Sequence, residues 1–217
     1  MKLSTAIVAL SLLAGGSAHA EGGVVFGLDY GFGGWSFDRQ HLATQLPKPN
    51  ADEGDLAARF ADNVHTAQAA TLKLGFNILG HSTVEGFVTA TGWDITSASR
   101  GGGGFVGGTA SWHPLQIWIP ERKYDAEVLL GYAYGLVGQK KAIAGNAFVW
   151  GLRGEYFLGK VFFVGAEFRM HHLFFHSFYR DYDQRAVEGN TLTLADGSGG
   201  TFYSLQAQIG FQVDVLE

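Results

Sequence analysis

Cysteine is absent from this chain, so no disulfide can staple it, and the fold must rest on its hydrogen-bond ladder and its packing. Charged residues make up only 16% of the sequence, well below the usual quarter. A water-facing surface dense in Lys and Glu is therefore scarcely available. Basic residues do not outnumber acidic ones, at 15 against 20, which removes the electrostatic footprint of a nucleic-acid binder. Beyond residue 20 the sequence has no run of about eighteen apolar residues, so no segment can form a membrane-spanning helix.

What is present is glycine, at 32 residues, and aromatic side chains, at 14%. The first twenty residues read as a secretory signal. Lys2 supplies the positive start, Ala6–Ala14 the short apolar core, and Ala18-His19-Ala20 the small-residue cleavage site. Cleavage after Ala20 is expected to leave residues 21–217 as a single domain.

The stretch AFVWGLRGEYFLGKVFFVGAEFRM (Ala147–Met170) alternates strictly. Phe148, Trp150, Leu152, Tyr156, Leu158, Phe162, Val164 and Phe168 fall on even positions, and Gly151, Arg153, Glu155, Gly165, Glu167 and Arg169 on odd ones. Period two is the signature of a strand whose two faces meet different surroundings. The same alternation marks Val24–Gly33, Thr71–Ile78, Tyr124–Leu136 and Tyr203–Val213, and more weakly Thr83–Trp93 and Gly104–Pro114. Most of these segments have about 9–13 residues, close to the roughly 9–11 that a tilted strand needs to cross a bilayer. Leu79–Ser82 and Gly159-Lys160 are short connections, and Leu115–Lys123 is longer. They alternate with a second, mostly long set at Asp38–Thr66, Asp94–Gly103, Gly138–Asn146 and Ser177–Gly200. The expectation is an all-β fold, an eight-stranded antiparallel up-and-down transmembrane barrel with periplasmic turns and extracellular loops.

Alternation alone also fits a soluble ligand-binding barrel with its apolar face inward. Three features invert that reading. The polar face is built of Gly, Ala, Ser and Thr, which suit the crowded lumen of an eight-stranded barrel. Aromatic residues such as Tyr30, Tyr132, Tyr156 and Tyr203 lie near strand ends, as in interfacial girdles. Strand charges fall on the small-residue face in both signs. A three-residue turn at Gly159–Val161 would put Arg153 opposite Glu167, whereas a turn at Leu158–Lys160 would put them diagonally. Either way a charge in a narrow lumen must be paired. A network of Lys73, Glu127, Arg153, Glu155, Glu167 and Arg169 is expected to plug the bore.

Signal, alternating strands, unequal connections and lumenal charges together resemble the small outer-membrane barrels of the OmpA and OmpX kind. The resemblance covers residues 23–213 and is one of architecture. It implies that the six lumenal residues above block or gate passage. It also implies localisation in a Gram-negative outer membrane, with lipid and lipopolysaccharide as surroundings. One departure is that the last strand runs past Phe211 into QVDVLE and lacks a terminal aromatic residue. With the chain ending there, no periplasmic peptidoglycan-binding domain is expected.

The remaining motifs have modest readings. His171, His172 and His176 in RMHHLFFHS alternate faces and should not converge on a metal, so neither metal nor cofactor is expected. Some small barrels resembling PagL are lipid A deacylases with a serine two positions after a histidine; here Ser177 follows His176 directly, which on a regular strand separates them. Gly101–Gly104 lacks the lysine and helix of a phosphate loop. In the first long loop Leu56, Phe60 and Val64 recur every four residues, as on a short amphipathic helix. With Phe178, Tyr179 and Tyr182 in the last loop they form the expected contact surface for a protein partner. The leading expectation is a non-enzymatic barrel with a structural, adhesion or partner-scaffold role. A narrow small-solute channel and a lipid A-modifying enzyme are the alternatives.

Overall fold

The computed structural model describes residues 22–37, 67–78, 80–93, 101–115, 123–138, 141–158, 161–194 and 199–214. Within them run β1 (Gly23–Phe37), β2 (Ala67–Ile78), β3 (Ser82–Trp93), β4 (Gly101–Trp112), β5 (Tyr124–Gly138), β6 (Ala142–Phe157) and β7 (Phe162–Tyr179). A three-residue β8 (Thr191–Thr193) and the long β9 (Gly199–Asp214) follow. Each long strand pairs antiparallel with its neighbour, and β9 pairs with both β7 and β1. The eight long strands thus close into an up-and-down barrel. No helix among the described residues is long and apolar enough to cross a membrane. Crossing is left to the strands, whose closed ladder satisfies every interior backbone group without water.

The two faces are those of an inside-out barrel. Phe32, Leu74, Leu130, Phe148, Leu152 and Leu205 are exposed on the outer wall, Phe32 by 66% and Leu205 by 63%. Such a belt of apolar side chains is stable against acyl chains and not against water. Trp150 and Phe168, in edge-to-face contact with ring centroids 5.7 Å apart, share that wall. The inner face carries the charges and most of the hydroxyl and amide side chains. In the β6–β7 hairpin Leu158 N donates to Phe162 O at 2.8 Å, and Arg153 stands directly opposite Glu167. The three-residue turn is therefore the one adopted.

Three expectations need correction. First, the β5–β6 connection is tight and not a long loop, because Ala142, Ile143 and Ala144 continue the ladder opposite Gly138, Val137 and Leu136. Second, the lumen is not lined by small residues throughout. Trp35, Phe87, Phe105, Phe175 and Phe202 all point inward and are buried, filling the extracellular half with rings. Third, the β6–β7 ladder slips at Ala144/Gly145, which face Ser177 and Phe175. His176 is the extra residue of a β-bulge, and inward positions switch from odd to even beyond it.

The wall is uneven in height. β2, β3 and β4 have 12 residues each, whereas β6, β7 and β9 have 16, 18 and 16. β9 covers β7 only as far as Phe174, and β8 then pairs with Ser177–Tyr179, extending the rim on that side.

Close approach of β4 to β5 depends on glycine. A Cβ at Gly131 would land on the Gly108 carbonyl oxygen and 2.6 Å from Thr109 Cγ2, whereas one at Gly92 meets nothing within 4 Å. Gly131→Ala should therefore lower the urea midpoint of the refolded barrel and slow its folding. Gly92→Ala should stay within about 0.5 kcal/mol of the parent. Tryptophan fluorescence in lipid vesicles reads both, and equal midpoints would contradict the packing described.

Candidate functional site

Mid-height in the lumen, three cations and four carboxylates converge. Arg153 on β6 is the hub. Its Nη2 donates to Glu85 Oε1 at 2.6 Å, its Nη1 to Glu127 Oε2 at 3.0 Å and its Nε to Glu167 Oε2 at 2.8 Å. Lys73 on β2 bridges Asp29 on β1 and Glu167 on β7, at 2.7 and 2.9 Å. Arg169 on β7 forms ion pairs with Glu167 at 2.6 Å and Glu85 at 3.2 Å, and its guanidinium lies 4.3 Å from the Phe87 ring centroid. Thr109 on β4 adds a hydroxyl donor to Glu85 at 2.9 Å. Every barrel strand from β1 to β7 thus contributes a group, and each of the seven charged side chains is at most 3% exposed.

Of the six lumenal residues singled out in the sequence, Lys73, Glu127, Arg153, Glu167 and Arg169 meet in this cluster. Glu155 lies nearer the periplasmic end and accepts from Gln208 Nε2 of β9 at 3.1 Å. Asp29 and Glu85 belong to the cluster and were missed. Parity was the available signal, because Asp29 shares its face with Gly27 and Gly31, and Glu85 shares its face with Thr83 and Thr89.

Above the ions sits the aromatic layer. Trp35 stacks on Phe105 and lies against Phe202, with centroids 5.6 and 4.6 Å apart. His171 stacks on Phe105 at 4.1 Å, with Phe202 at 5.8 Å. Ala69, Ala133, Ala147, Val149, Leu173 and Phe175 pack around them in one buried cluster. The ionic layer and the aromatic one above it fill these levels with buried side chains, as expected for a barrel of this strand number.

At the outer rim Tyr179 and Tyr182 meet edge to face at 5.4 Å, and Arg185 lies 4.6 Å over the Tyr182 ring. Phe178 does not join them. It is turned into the mouth by the bulge and is 3% exposed, so it offers a partner nothing to touch. Leu56, Phe60 and Val64 lie outside the described residues. The bulge also revises the histidines: His176 Nδ1 and Ser177 Oγ are 2.8 Å apart rather than on opposite faces. His172, on the outer wall, accepts from Trp150 Nε1 at 3.1 Å.

The ionic cluster generates a stability prediction. Arg153→Ala would strand Glu85, Glu127 and Glu167, and removing one partner of a buried network costs about 3–5 kcal/mol. Arg185→Ala, at the exposed rim, should cost less than about 1 kcal/mol. Urea unfolding in vesicles should separate the two, and coincident midpoints would show that the cluster does not hold the barrel.

Comparison with known proteins adds a structural likeness. No protein-family model matches the sequence, and no curated protein matches it. Among solved structures, Neisserial surface protein A superposes with a TM-score of 0.57 at 8% identity, covering 88% of this chain and 97% of its own. The outer membrane protein OprG of Pseudomonas aeruginosa follows with a TM-score of 0.49 at 10% identity, over 91% and 99% of the two chains. Ail, the attachment invasion locus protein of Yersinia pestis, gives 0.47 at 13% identity, over 89% and 99%. The first of these carries the comparison. The chain has the fold of a small eight-stranded outer-membrane β-barrel.

Proposed function

We propose that this chain works as a closed outer-membrane barrel whose activity lies at its extracellular rim, in adhesion or as a scaffold for a partner protein. The observation that carries the reading is the double seal of the lumen. A solute crossing the barrel would have to part the Arg153–Glu167 cluster and then the Trp35–Phe105–Phe202 stack, both buried. The rim supplies the complementary support. On its taller side β7, β8 and the 3-10 turn Tyr182–Gln184 present Tyr179, Tyr182 and Arg185, with Val187 58% exposed beside them. Aromatic and arginine side chains of this kind are enriched where proteins contact one another.

One observation favours a second reading. The His176–Ser177 pair on the bulge combines a base and a hydroxyl near the outer rim, as a lipid-modifying site would need. Among the described residues no carboxylate hydrogen-bonds to His176. Incubation with lipopolysaccharide tests this reading, and fatty acid released by the parent but not by Ser177→Ala would favour it.

For the leading reading, planar bilayers containing the refolded chain should stay at baseline conductance, and sustained open currents would overturn the seal. Replacing Asp181–Asn190 by a short Gly-Ser linker should abolish capture of a partner from outer membranes while leaving the urea midpoint within about 1 kcal/mol. Equal capture by the two forms would remove the rim from the account.

A further inference from the structure

Below the ionic cluster, toward the periplasmic end, the lumen contains a second constellation with a different composition. His113 follows β4, is 4% exposed, and directs its ring inward. Its Nδ1 is 2.6 Å from Asp125 Oδ2 on β5. Its Nε2 faces three oxygens from three strands: Thr83 Oγ1 on β3 at 3.0 Å, Ser111 Oγ on β4 at 3.2 Å and Glu127 Oε2 on β5 at 3.7 Å. One ligand atom from each of His113, Asp125 and Glu127 lies within 4.8 Å of the others.

These distances suit a bound cation. Ligands about 2.1 Å from a tetrahedral ion stand about 3.4 Å apart, and the three oxygen distances from Nε2 bracket that edge length. An ion about 2.1 Å from both Nε2 and Glu127 Oε2 would see them about 120° apart. Asp125 supplies the other half of such a site. A carboxylate on the second ring nitrogen fixes the tautomer and aims the free lone pair, as in carboxylate–histidine–metal triads.

Charge points the same way. Among the described residues the buried lumenal carboxylates are six (Asp29, Glu85, Asp125, Glu127, Glu155 and Glu167), against three fixed cations, Lys73, Arg153 and Arg169. Arg153 Nη1 already holds Glu127 Oε2 at 3.0 Å, so the mid-height cluster sets four carboxylates against three cations, and Asp125 and Glu155 add two more carboxylates below it. In the β5–β6 register Asp125 and Glu155 stand directly opposite each other, an arrangement that repels unless positive charge is near.

We infer that His113 Nε2 and Glu127 bind one divalent metal ion of the zinc class at the periplasmic end of the lumen, with Thr83 and Ser111 hydroxyls beside it and Asp125 orienting the imidazole. An imidazole and oxygen donor set suits zinc, nickel or copper ahead of calcium or magnesium. Water completes the shell.

The test is zinc titration of the refolded chain in detergent after removal of metal with a chelator, read by calorimetry and by competition with a fluorescent zinc indicator. One equivalent should bind per chain and raise the unfolding midpoint. Asp125→Asn should weaken binding about 10–100-fold as an orienting residue; His113→Ala and Glu127→Gln should weaken it further, and His176→Ala should leave it unchanged. Should the ligand variants fail to refold, X-ray absorption of the zinc-loaded parent still decides, with a mixed nitrogen and oxygen shell expected. Absence of saturable uptake, or uptake undiminished in His113→Ala, would overturn the site and leave His113 as a hydrogen-bonded lumenal histidine.

Discussion

An unpaired backbone amide or carbonyl in hydrocarbon costs several kcal/mol, and the architecture of this chain follows from that penalty. A sheet that must lie in lipid cannot keep an edge, so β9 returns to β1 and pairs along fifteen positions from Gly23↔Asp214 to Phe37↔Gly200. Closure divides side chains by parity into those that meet acyl chains and those that meet one another. The first group must be apolar. The second is confined to a bore that eight strands leave just wide enough to fill, so any charge placed there has to find its opposite there.

The lumen meets that demand in levels. Near the extracellular end rings and aliphatic side chains pack around Trp35 and Phe202. At mid-height Arg153 and Glu167 anchor ion pairs that draw on strands on opposite sides of the bore, with Glu85 and Lys73 reached across it. Toward the periplasm hydroxyls, amides and carboxylates gather around His113 and Gln208. This order also separates mechanical from chemical roles. The upper two levels tie strands together across the bore, whereas the lowest gathers carboxylates and hydroxyls around a histidine and is where a small cation would be welcome.

Much of this was legible in the residues. Strict alternation at Phe148–Phe168 gave the strands, and charges on the small-residue face gave their direction. Other features depend on relations that alternation does not encode. The bulge at His176 inverts parity beyond it, which buries Phe178 and brings His176 beside Ser177. Ala142–Ala144 alternate too weakly to be read as strand, yet the ladder carries them and shortens the third outer connection. Trp35, Phe175 and Phe202 continue the inner parity of their strands, whereas Phe87 and Phe105 lie on the two weakly alternating ones, and small neighbours such as Gly103 and Gly135 disguise a packed layer as a loose one. The convergence of Thr83, Ser111 and Glu127 on one histidine requires three strands in register, and no linear motif records it.

The central claim is that the outer wall faces lipid while the lumen is closed to water. Because the chain has no cysteine, a single introduced one can carry a nitroxide label without competition. Labels at Leu130 and Leu205 in vesicles, compared with labels at Thr71 and Gln206, read the two faces through collision with oxygen and with a water-soluble nickel chelate. The account predicts strong oxygen collision and little nickel collision at Leu130 and Leu205, and neither at Thr71 and Gln206. Nickel collision at Thr71 and Gln206 would reveal a wet, open bore and contradict it.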